Sequence, residues 1–228
     1  MAERAYEALE AAIVRCELGP GVLLSDRKLS GQLGLSRTPI REALKSLETA
    51  GLVSRRGRVG WMVAEFDPED ASELFELRRV MEPPGLERLG EAWDAGAVRE
   101  LSTFFDGFGE TLPSERYEEY MSRDHDFHKK IVGLTGNGRL IRFYGIVEKQ
   151  INRIRHYLAP GYEGRMEEVL VEHRRICAAI ADQDLEEARR ALMDHLWAGD
   201  RAMSSFLGIQ LSSENRKSGA LGGGDAQD

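Results

Sequence analysis

The chain has 228 residues, 42% of them hydrophobic and 31% charged, which is enough apolar material for one or two globular domains. No apolar run approaches the ~18 residues that a membrane-spanning helix needs, and the charged N-terminus lacks the apolar core of a secretory signal. The two cysteines, Cys16 and Cys177, lack the spacing of metal ligands or redox pairs and fit reduced structural thiols. We therefore expect a cytoplasmic protein that has no membrane partner.

The net charge of −8 is unevenly distributed along the chain. Residues 1–64 contain 10 Lys and Arg against 7 Asp and Glu, whereas residues 65–228 contain 21 against 32. Contact with phosphates depends on local rather than overall charge. A nucleic-acid partner is thus compatible with the first 64 residues, and the acidic remainder is expected to have another role.

The first fifty residues predict three helices and one short strand. Apolar residues at helical spacing predict a helix over 3–17, and a short strand follows at Val22–Leu24. Two further helices are predicted over 26–33 and 37–50, with Gly34 turning the chain between them. Two short helices joined by a tight turn form a helix-turn-helix.

The second helix of this pair has two chemically different faces. Its apolar face consists of Ile40, Ala43, Leu44 and Leu47. Its polar face consists of Arg37, Thr38, Arg41 and Lys45, and Ser36 precedes the helix as a suitable N-cap. Arginine can bond a guanine edge through two hydrogen bonds, and Lys, Thr or Arg can bond phosphates. Such a helix can pack through one face and enter the major groove of DNA with the other.

A hairpin is predicted directly after this helix. One strand begins at Leu52 and Val53, the tip is the basic sequence Arg55-Arg56-Gly57-Arg58, and the second strand runs over 59–63. A basic hairpin beside a helix-turn-helix is a wing, which can reach phosphates or a neighbouring minor groove. The alternative is a small structural winged helix whose charges are merely solvated.

The run LSRTPIREALKSLETAGLV, preceded by LGPGVLLSDRKLSGQLG, resembles the winged helix of bacterial GntR-family transcription regulators over about residues 6–63. The resemblance implies DNA contacts from Arg27, Arg37, Thr38 and Arg41, assisted by Ser36 and by the wing glycine and its neighbours. Together with the polar helix face and the wing, this makes the candidate DNA-binding residues Arg27, Ser36, Arg37, Thr38, Arg41, Lys45, Gly57 and Arg58.

The chain has helical periodicity from about residue 68 to residue 207. Six helices are predicted, over 68–90, 95–109, 113–135, 138–159, 163–182 and 184–206. Pro83, Pro84 and Gly85 must kink or break the first of them. The predicted domains are a winged helix at 1–64, a linker at 65–69, an all-helical domain at 70–207 and a polar, disordered tail at 208–228. The fold class is thus mostly α, with an N-terminal winged helix-turn-helix and a C-terminal antiparallel helical bundle.

Histidines carry the candidate chemistry of the helical domain. Asp124 and His128 are one helical turn apart and share a face, while His173 and His195 lie among apolar residues of two other helices. A single buried histidine is usually a hydrogen-bonded core residue. Three of them with an Asp can also hold Zn²⁺, Ni²⁺ or a similar ion, and the spacing alone leaves both interpretations open.

The helical half resembles the FCD ligand-binding domain that follows a GntR winged helix in the FadR subfamily. The resemblance lies in the sequences ELFELRRVMEP, RDHDFHKKIVGLTGNGRL, EHRRICAAIADQDLEEAR and MDHL. It implies a divalent metal held by one Asp and three His, at the positions of Asp124, His128, His173 and His195, with Zn, Ni or Mn as candidates. Pro84-Gly85 departs from the family pattern, in which helix-forming residues continue.

Arg78 lies in an apolar stripe and needs an anionic partner if it is buried. One candidate is Glu82, four residues further on. The other is a carboxylate effector held by Arg78 and by an open position on the metal. Arg155 is a second candidate for effector binding, and the family resemblance implies small organic acids as effectors.

The leading hypothesis is a homodimeric transcription regulator whose winged helix reads a double-stranded DNA operator and whose helical domain binds metal and a small carboxylate. Dimerisation is expected because two readers on two half-sites multiply specificity. One alternative is a metal-responsive regulator without an organic effector. The other is a metal-dependent hydrolase, which the absence of HExxH and nucleophile motifs disfavours. We therefore expect no enzymatic activity.

Overall fold

The computed structural model describes residues 1–57, 60–67, 69–158 and 163–221. By its internal contacts the chain divides into two compact units. The N-terminal unit consists of Met1–Asp67 together with Lys149–Tyr157, and the remaining described residues form the helical unit. The candidate Arg58, the predicted strand residue Val59 and the last seven residues of the predicted tail lie outside the described residues.

The N-terminal unit is a winged helix, as the sequence predicts. Its helices are α1 (Ala2–Val14), α2 (Asp26–Leu33) and α3 (Arg37–Thr49). The predicted apolar face of α3 is buried throughout, and Leu9 and Ile13 of α1 belong to the same core. The helix-turn-helix is therefore held from its inner side, which leaves the polar face of α3 exposed.

The ends of α2 and α3 follow the capping rules with one difference. Ser25 caps α2 through a hydrogen bond that Lys28 N donates to Ser25 Oγ at 3.4 Å, and Gly34 ends it in the left-handed region. Ser36 occupies the N-cap position of α3, but its hydroxyl makes no capping hydrogen bond. The exposed Ser36 hydroxyl thus does not have the capping role that the sequence predicts for it.

The predicted wing is present as an antiparallel hairpin. Its strands are β2 (Val53–Arg56) and β3 (Gly60–Val63), with Val53 opposite Val63 and Arg56 opposite Gly60. The short strand β1 (Leu23–Leu24) pairs with the other edge of β3, giving the order β1-β3-β2. This sheet fixes the wing to the chain segment that leads into α2.

The described part of the helical unit is built from seven α-helices and one 3-10 turn at Ser114–Arg116. The helices are α4 (Asp70–Met81), α5 (Pro83–Glu91), α6 (Ala95–Ser102), α7 (Tyr117–Gly133), α8 (Gly138–Leu158), α9 (Glu163–Ala181) and α10 (Leu185–Leu221). The mostly α fold class is confirmed. No helix among the described residues is long and apolar enough to cross a membrane.

The first three predicted helices differ from their predicted bounds. The third begins later, as α7 at Tyr117, after the 3-10 turn. The first breaks at Glu82, as the sequence predicts, because Pro83 has no backbone N–H to continue the helical hydrogen bonds. The second ends at Ser102, where the hydroxyls of Ser102 and Thr103 both donate to the carbonyl of Arg99. Such local side-chain bonds compete with helix propagation, and the glycine-containing turns that follow complete the stop.

Helix α10 continues past residue 207, where the sequence predicts the disordered tail to begin. It reaches Leu221, so residues 208–221 are helical. This stretch contains Gln, Leu, Glu, Arg and Lys, which are good helix formers, and each glycine in it costs only ~1 kcal/mol. A polar composition prevents this stretch from forming a hydrophobic core of its own. It does not prevent the stretch from continuing a helix whose earlier turns are packed.

A segment of α8, Lys149–Tyr157, belongs to the N-terminal unit, whereas the sequence places the whole helix in the helical domain. Lys149 donates to the hydroxyl of Tyr6 at 3.2 Å, and Gln150 donates to the carbonyl of Ala50 at 3.2 Å. Arg153 is buried and donates to the carbonyl of Ala64. Lys149 thus contacts a side chain of α1, whereas Gln150 and Arg153 bind backbone carbonyls at the end of α3 and just beyond β3.

Gly85 provides the first test of this packing. A Cβ added at Gly85 would lie 1.9 Å from the carbonyl oxygen of Ile131 in α7. We expect Gly85→Ala to destabilise the protein by ~1–3 kcal/mol through overpacking, measured as a lower melting temperature. Gly145→Ala in α8 is the control, because no described atom lies within 4 Å of its added Cβ. An equal melting temperature for Gly85→Ala and Gly145→Ala would contradict the close approach of α5 and α7.

Candidate functional site

The exposed face of α3 and the wing form a basic surface. Arg37, Arg41 and Lys45 line a cavity of about 530 Å³ together with Arg55 and Gly57 of the wing. The other candidate DNA-binding residues that the structure describes are also exposed: Arg27, Ser36 and Thr38. The structure thus brings the described candidates to one side of the helix-turn-helix and the wing, as a helix in the major groove requires.

Arg37 and Arg41 share one carboxylate, which the sequence alone did not reveal. Arg37 Nη2 lies 2.9 Å from both carboxylate oxygens of Asp26, and Arg41 Nε lies 2.6 Å from Asp26 Oδ2. The hydrogen bonds from Arg37 and then from Arg41 lower the pKa of Asp26. The carboxylate is therefore ionised throughout the neutral range, and it bridges the start of α2 to the first two turns of α3.

The four predicted metal ligands converge in the helical unit. Helix α7 supplies Asp124 and His128, α9 supplies His173 and α10 supplies His195, and all four are buried. His128 Nε2 lies 3.1 Å from His173 Nε2 and 3.2 Å from His195 Nε2. Asp124 Oδ1 lies 3.3 Å from His173 Nε2 and 3.9 Å from His128 Nε2. Three imidazole nitrogens and one carboxylate oxygen thus face a common point.

The opposite nitrogen of each histidine has its own partner. His128 Nδ1 lies 2.7 Å from Glu82 Oε2, and His195 Nδ1 lies 2.8 Å from Glu172 Oε2. His173 Nδ1 lies 2.7 Å from the hydroxyl of Tyr120, and the His173 ring stacks on Phe105 at 4.7 Å. A carboxylate at Nδ1 favours the tautomer that carries its proton there. In that tautomer the Nε2 lone pair is available to a metal.

The donor atoms have the chemistry and the spacing of a metal centre. Imidazole nitrogen and carboxylate oxygen are ligands that Zn²⁺, Ni²⁺ and Mn²⁺ accept. Zn–N bonds of ~2.0–2.1 Å place two nitrogens around one ion ~3.0–3.4 Å apart. The observed separations between Nε2 atoms, 3.1 and 3.2 Å, fall in that range. The four residues therefore fit a divalent ion, although the donor set does not select one metal.

Glu82 connects the metal-ligand cluster to the buried Arg78. Arg78 Nε donates to Glu82 Oε1 at 2.6 Å, and the hydroxyl of Tyr144 donates to the same oxygen at 2.8 Å. Burial lowers the pKa of Arg78, but the nearby carboxylates of Glu82 and Asp124 outweigh this and raise it. Arg78 Nη1 has no hydrogen-bond partner among the described residues. The structure thus contains the Arg78–Glu82 pair that was one of the two predicted alternatives, and Nη1 of Arg78 is a buried donor outside this pair.

Some residues were predicted to be near the candidate site but are not part of the four-residue cluster, and others near the cluster were not predicted. Arg155 belongs to the segment of α8 that is part of the N-terminal unit, whereas Arg78 belongs to the helical unit. His125 lies outside the four and contacts Glu148 at 2.8 Å. Tyr120 was missed although it stands one helical turn before Asp124 on the same face. Glu172 was missed because its partner is on another helix, and no sequence spacing reveals that contact.

Comparison with known proteins covers both units. Residues 1–63 match the bacterial regulatory proteins of the gntR family, and residues 73–198 match the FCD domain. A helix-turn-helix transcriptional regulator from an unstable DNA locus of Streptomyces ambofaciens is 30% identical over 194 residues, covering 85% of this chain and 80% of the relative. The gluconate operon transcriptional repressor of Bacillus licheniformis is 27% identical over 189 residues, covering 81% and 77%.

A solved structure shares the fold over almost the whole length. The crystal structure of a regulator described as GntR from Rhodococcus sp. RHA1 superposes with a TM-score of 0.73 at 25% identity. The superposition covers 91% of this chain and 97% of that protein. The order of a winged helix followed by a helical unit is therefore common to both chains.

The buried Arg78–Glu82 pair can be tested by its stability. In Glu82→Gln the guanidinium of Arg78, 2% exposed, would lose its anionic partner. We expect a loss of ~3–5 kcal/mol in the free energy of unfolding, measured with urea. The control is Glu91→Gln, which removes an exposed pair with Arg88 and should change stability by less than ~1 kcal/mol. If the two variants unfold at the same urea concentration, Glu82 does not stabilise the buried charge.

Proposed function

Since this chain belongs to the GntR family of bacterial regulatory proteins and carries an FCD domain, we propose that a metal-bound small carboxylate controls its affinity for DNA. Membership makes it a DNA-binding transcriptional regulator and not an enzyme. The control by metal and carboxylate is the part that is proposed. It rests above all on the four buried donor atoms that converge beside an arginine with an unused N–H.

The proposed DNA contacts follow from exposure and charge. Arg37 and Arg41 reach base edges in the major groove, while Lys45 and Thr38 bind phosphates. Arg27 at the start of α2, Ser36 before α3 and Gly57 in the wing assist at the backbone, and Arg58 remains a candidate outside the described residues. The protein acts as a homodimer in the bacterial cytoplasm, where two winged helices read two half-sites of an operator.

The proposed metal ligands are Asp124, His128, His173 and His195. A bound divalent ion would join α7, α9 and α10 and would act as a Lewis acid toward an anionic ligand. The chain's own contribution is orientation, because Glu82, Tyr120 and Glu172 hold the three imidazoles from behind. The identity of the metal among Zn, Ni and Mn is left to measurement.

A small carboxylate is the proposed effector. Its charge suits both the ion and Arg78, whose Nη1 has no partner among the described side chains and is fully buried. Metals such as Ni²⁺ and Mn²⁺ take more than four ligands, so four protein ligands leave room for it. The relative named for the gluconate operon fits this class, since gluconate is a carboxylate. Regulation by metal alone is the second candidate, favoured by the completeness of the four-ligand cluster.

Arg41 provides the test of DNA reading. We expect Arg41→Ala to lower the affinity for DNA selected from a random pool by ~5–150-fold, because a bidentate base contact supplies ~1–3 kcal/mol of discrimination. Arg15→Ala is the control, since it removes an equally exposed arginine at the end of α1. Equal fluorescence-anisotropy titrations for the two variants would contradict the assignment of α3 as the recognition helix.

Metal content tests the metal centre. We expect about one divalent ion per chain in protein purified without chelators, detected by elemental analysis, and its loss in His173→Ala. The melting temperature of wild type should rise when the metal is added, because an ion that binds only the native state stabilises it. His125→Ala is the matched control, since His125 contacts Glu148 and is not one of the four proposed ligands. Absence of metal together with no thermal shift from Zn²⁺, Ni²⁺ or Mn²⁺ would refute the site.

A further inference from the structure

An ion-pair cluster of Asp26, Arg37 and Arg41 lies on the proposed DNA-binding surface, and the proposed binding of metal and effector does not involve it. Asp26 accepts hydrogen bonds from both Arg37 and Arg41, the two arginines on the polar face of α3. Its side chain is 17% exposed, whereas those of the arginines are 55% and 59% exposed. The carboxylate therefore lies behind the two guanidiniums, which extend from it toward the surface.

We propose that Asp26 is a specificity-determining residue, which orients Arg37 and Arg41 for base contacts and suppresses their binding to DNA of other sequence. This inference rests on the DNA-binding function of the family. Asp26 itself need not touch DNA, so it acts as a positioning residue through the two arginines.

The orientation follows from which guanidinium atoms are used. Arg41 donates through Nε to Asp26 Oδ2, and this bond fixes the plane of its guanidinium. Its two terminal nitrogens remain available for the pair of acceptors, O6 and N7, on a guanine. A free arginine loses rotamer freedom when it is ordered on a base, at a cost of ~0.5–1.5 kcal/mol per side chain. An arginine already held by Asp26 has lost part of this freedom before DNA arrives.

The negative charge of Asp26 weakens binding to DNA of other sequence. Binding to DNA of any sequence comes from neutralised phosphates and falls with salt. A carboxylate between two guanidiniums lowers the local positive charge, which weakens contacts with phosphates everywhere along DNA. Correctly placed guanines recover the loss through directional hydrogen bonds, whereas other sequences do not. Specific binding is thus favoured relative to nonspecific binding.

A purely structural role for these bonds is less consistent with the burial. The helices α2 and α3 already pack through buried residues, including Leu29, Ile40 and Leu44. Exposed ion pairs typically contribute only ~0–1 kcal/mol to stability. The bonds from Asp26 to two largely exposed arginines therefore add little to stability, and we expect their main effect on the choice of DNA sequence.

The experiment compares wild type with Asp26→Asn, Asp26→Ala and Asp26→Glu. The probes are a duplex selected by wild type from a random pool and a shuffled duplex of the same composition, titrated at several salt concentrations. Glu42→Gln is the control, since it removes one charge from an exposed position of α3 that is not among the described contacts of Arg37 and Arg41. Melting temperatures of all variants establish that each is folded.

We expect Asp26→Asn and Asp26→Ala to bind the shuffled duplex several-fold more tightly and to lose about tenfold in the ratio of selected to shuffled affinity. The salt slope on the shuffled duplex should steepen by up to ~0.9, as for one more phosphate contact. Asp26→Glu should recover part of the selectivity because it retains the charge, while Glu42→Gln should keep the wild-type ratio.

Three results would overturn the proposal. If the ratio of selected to shuffled affinity is unchanged in both Asp26→Asn and Asp26→Ala, Asp26 does not affect DNA selection. If the ratio rises, Asp26 only competes with DNA for the two arginines. An equal loss in Glu42→Gln would assign the effect to charge alone. Failure of wild type to select any duplex would instead count against the DNA-binding function, so the two failures are distinguishable.

Discussion

Four buried donor atoms that face one another are the constraint on which the helical unit depends. Three histidine Nε2 atoms and one oxygen of Asp124 lie within 4.8 Å of one another, and all four side chains are buried. Buried polar groups are costly unless they are paired or bind a metal. Each imidazole is anchored at Nδ1 by a residue of the chain, so the helices must keep their register for the set to form. The close approach of Gly85 to Ile131 is one of the packing features that this register needs.

Helix α8 contributes residues to both units. Tyr144, in its first half, donates to Glu82, which also contacts His128. Lys149, Gln150 and Arg153 follow in the same helix and bind groups of the N-terminal unit. The proposed coupling of effector binding to DNA binding needs two sites that share a structural element, and α8 is an element of both units.

The sequence was sufficient where chemistry follows local spacing. The two faces of α3 follow from the helical period, and Asp124 and His128 share a face because they are four residues apart. The pairing of Arg78 with Glu82 was one of two alternatives, again at that spacing. These features depend on one element at a time, so periodicity identifies them without knowledge of the packing.

The sequence was insufficient where the contact crosses between elements. The partners of His173 and His195, Tyr120 and Glu172, depend on how α7, α9 and α10 pack. Asp26 meets two arginines only because the turn at Gly34 brings α2 beside α3. The early end of α6 and the extension of α10 also differ from the prediction, since helix ends depend on local competition that periodicity does not measure.

We propose that Arg78 and a metal held by the four buried donors together sense a small carboxylate, and that its binding changes the affinity for DNA. The most direct measurement is the affinity of metal-loaded protein for its selected duplex across a panel of small carboxylates, in wild type and in Arg78→Lys. The lysine keeps a positive charge beside Glu82 but has no Nη1. The account predicts that at least one acid changes the wild-type affinity by ~5–150-fold, and that neither Arg78→Lys nor metal-free wild type responds. An acid response that survives in either, or no response of wild type to any acid, would contradict it.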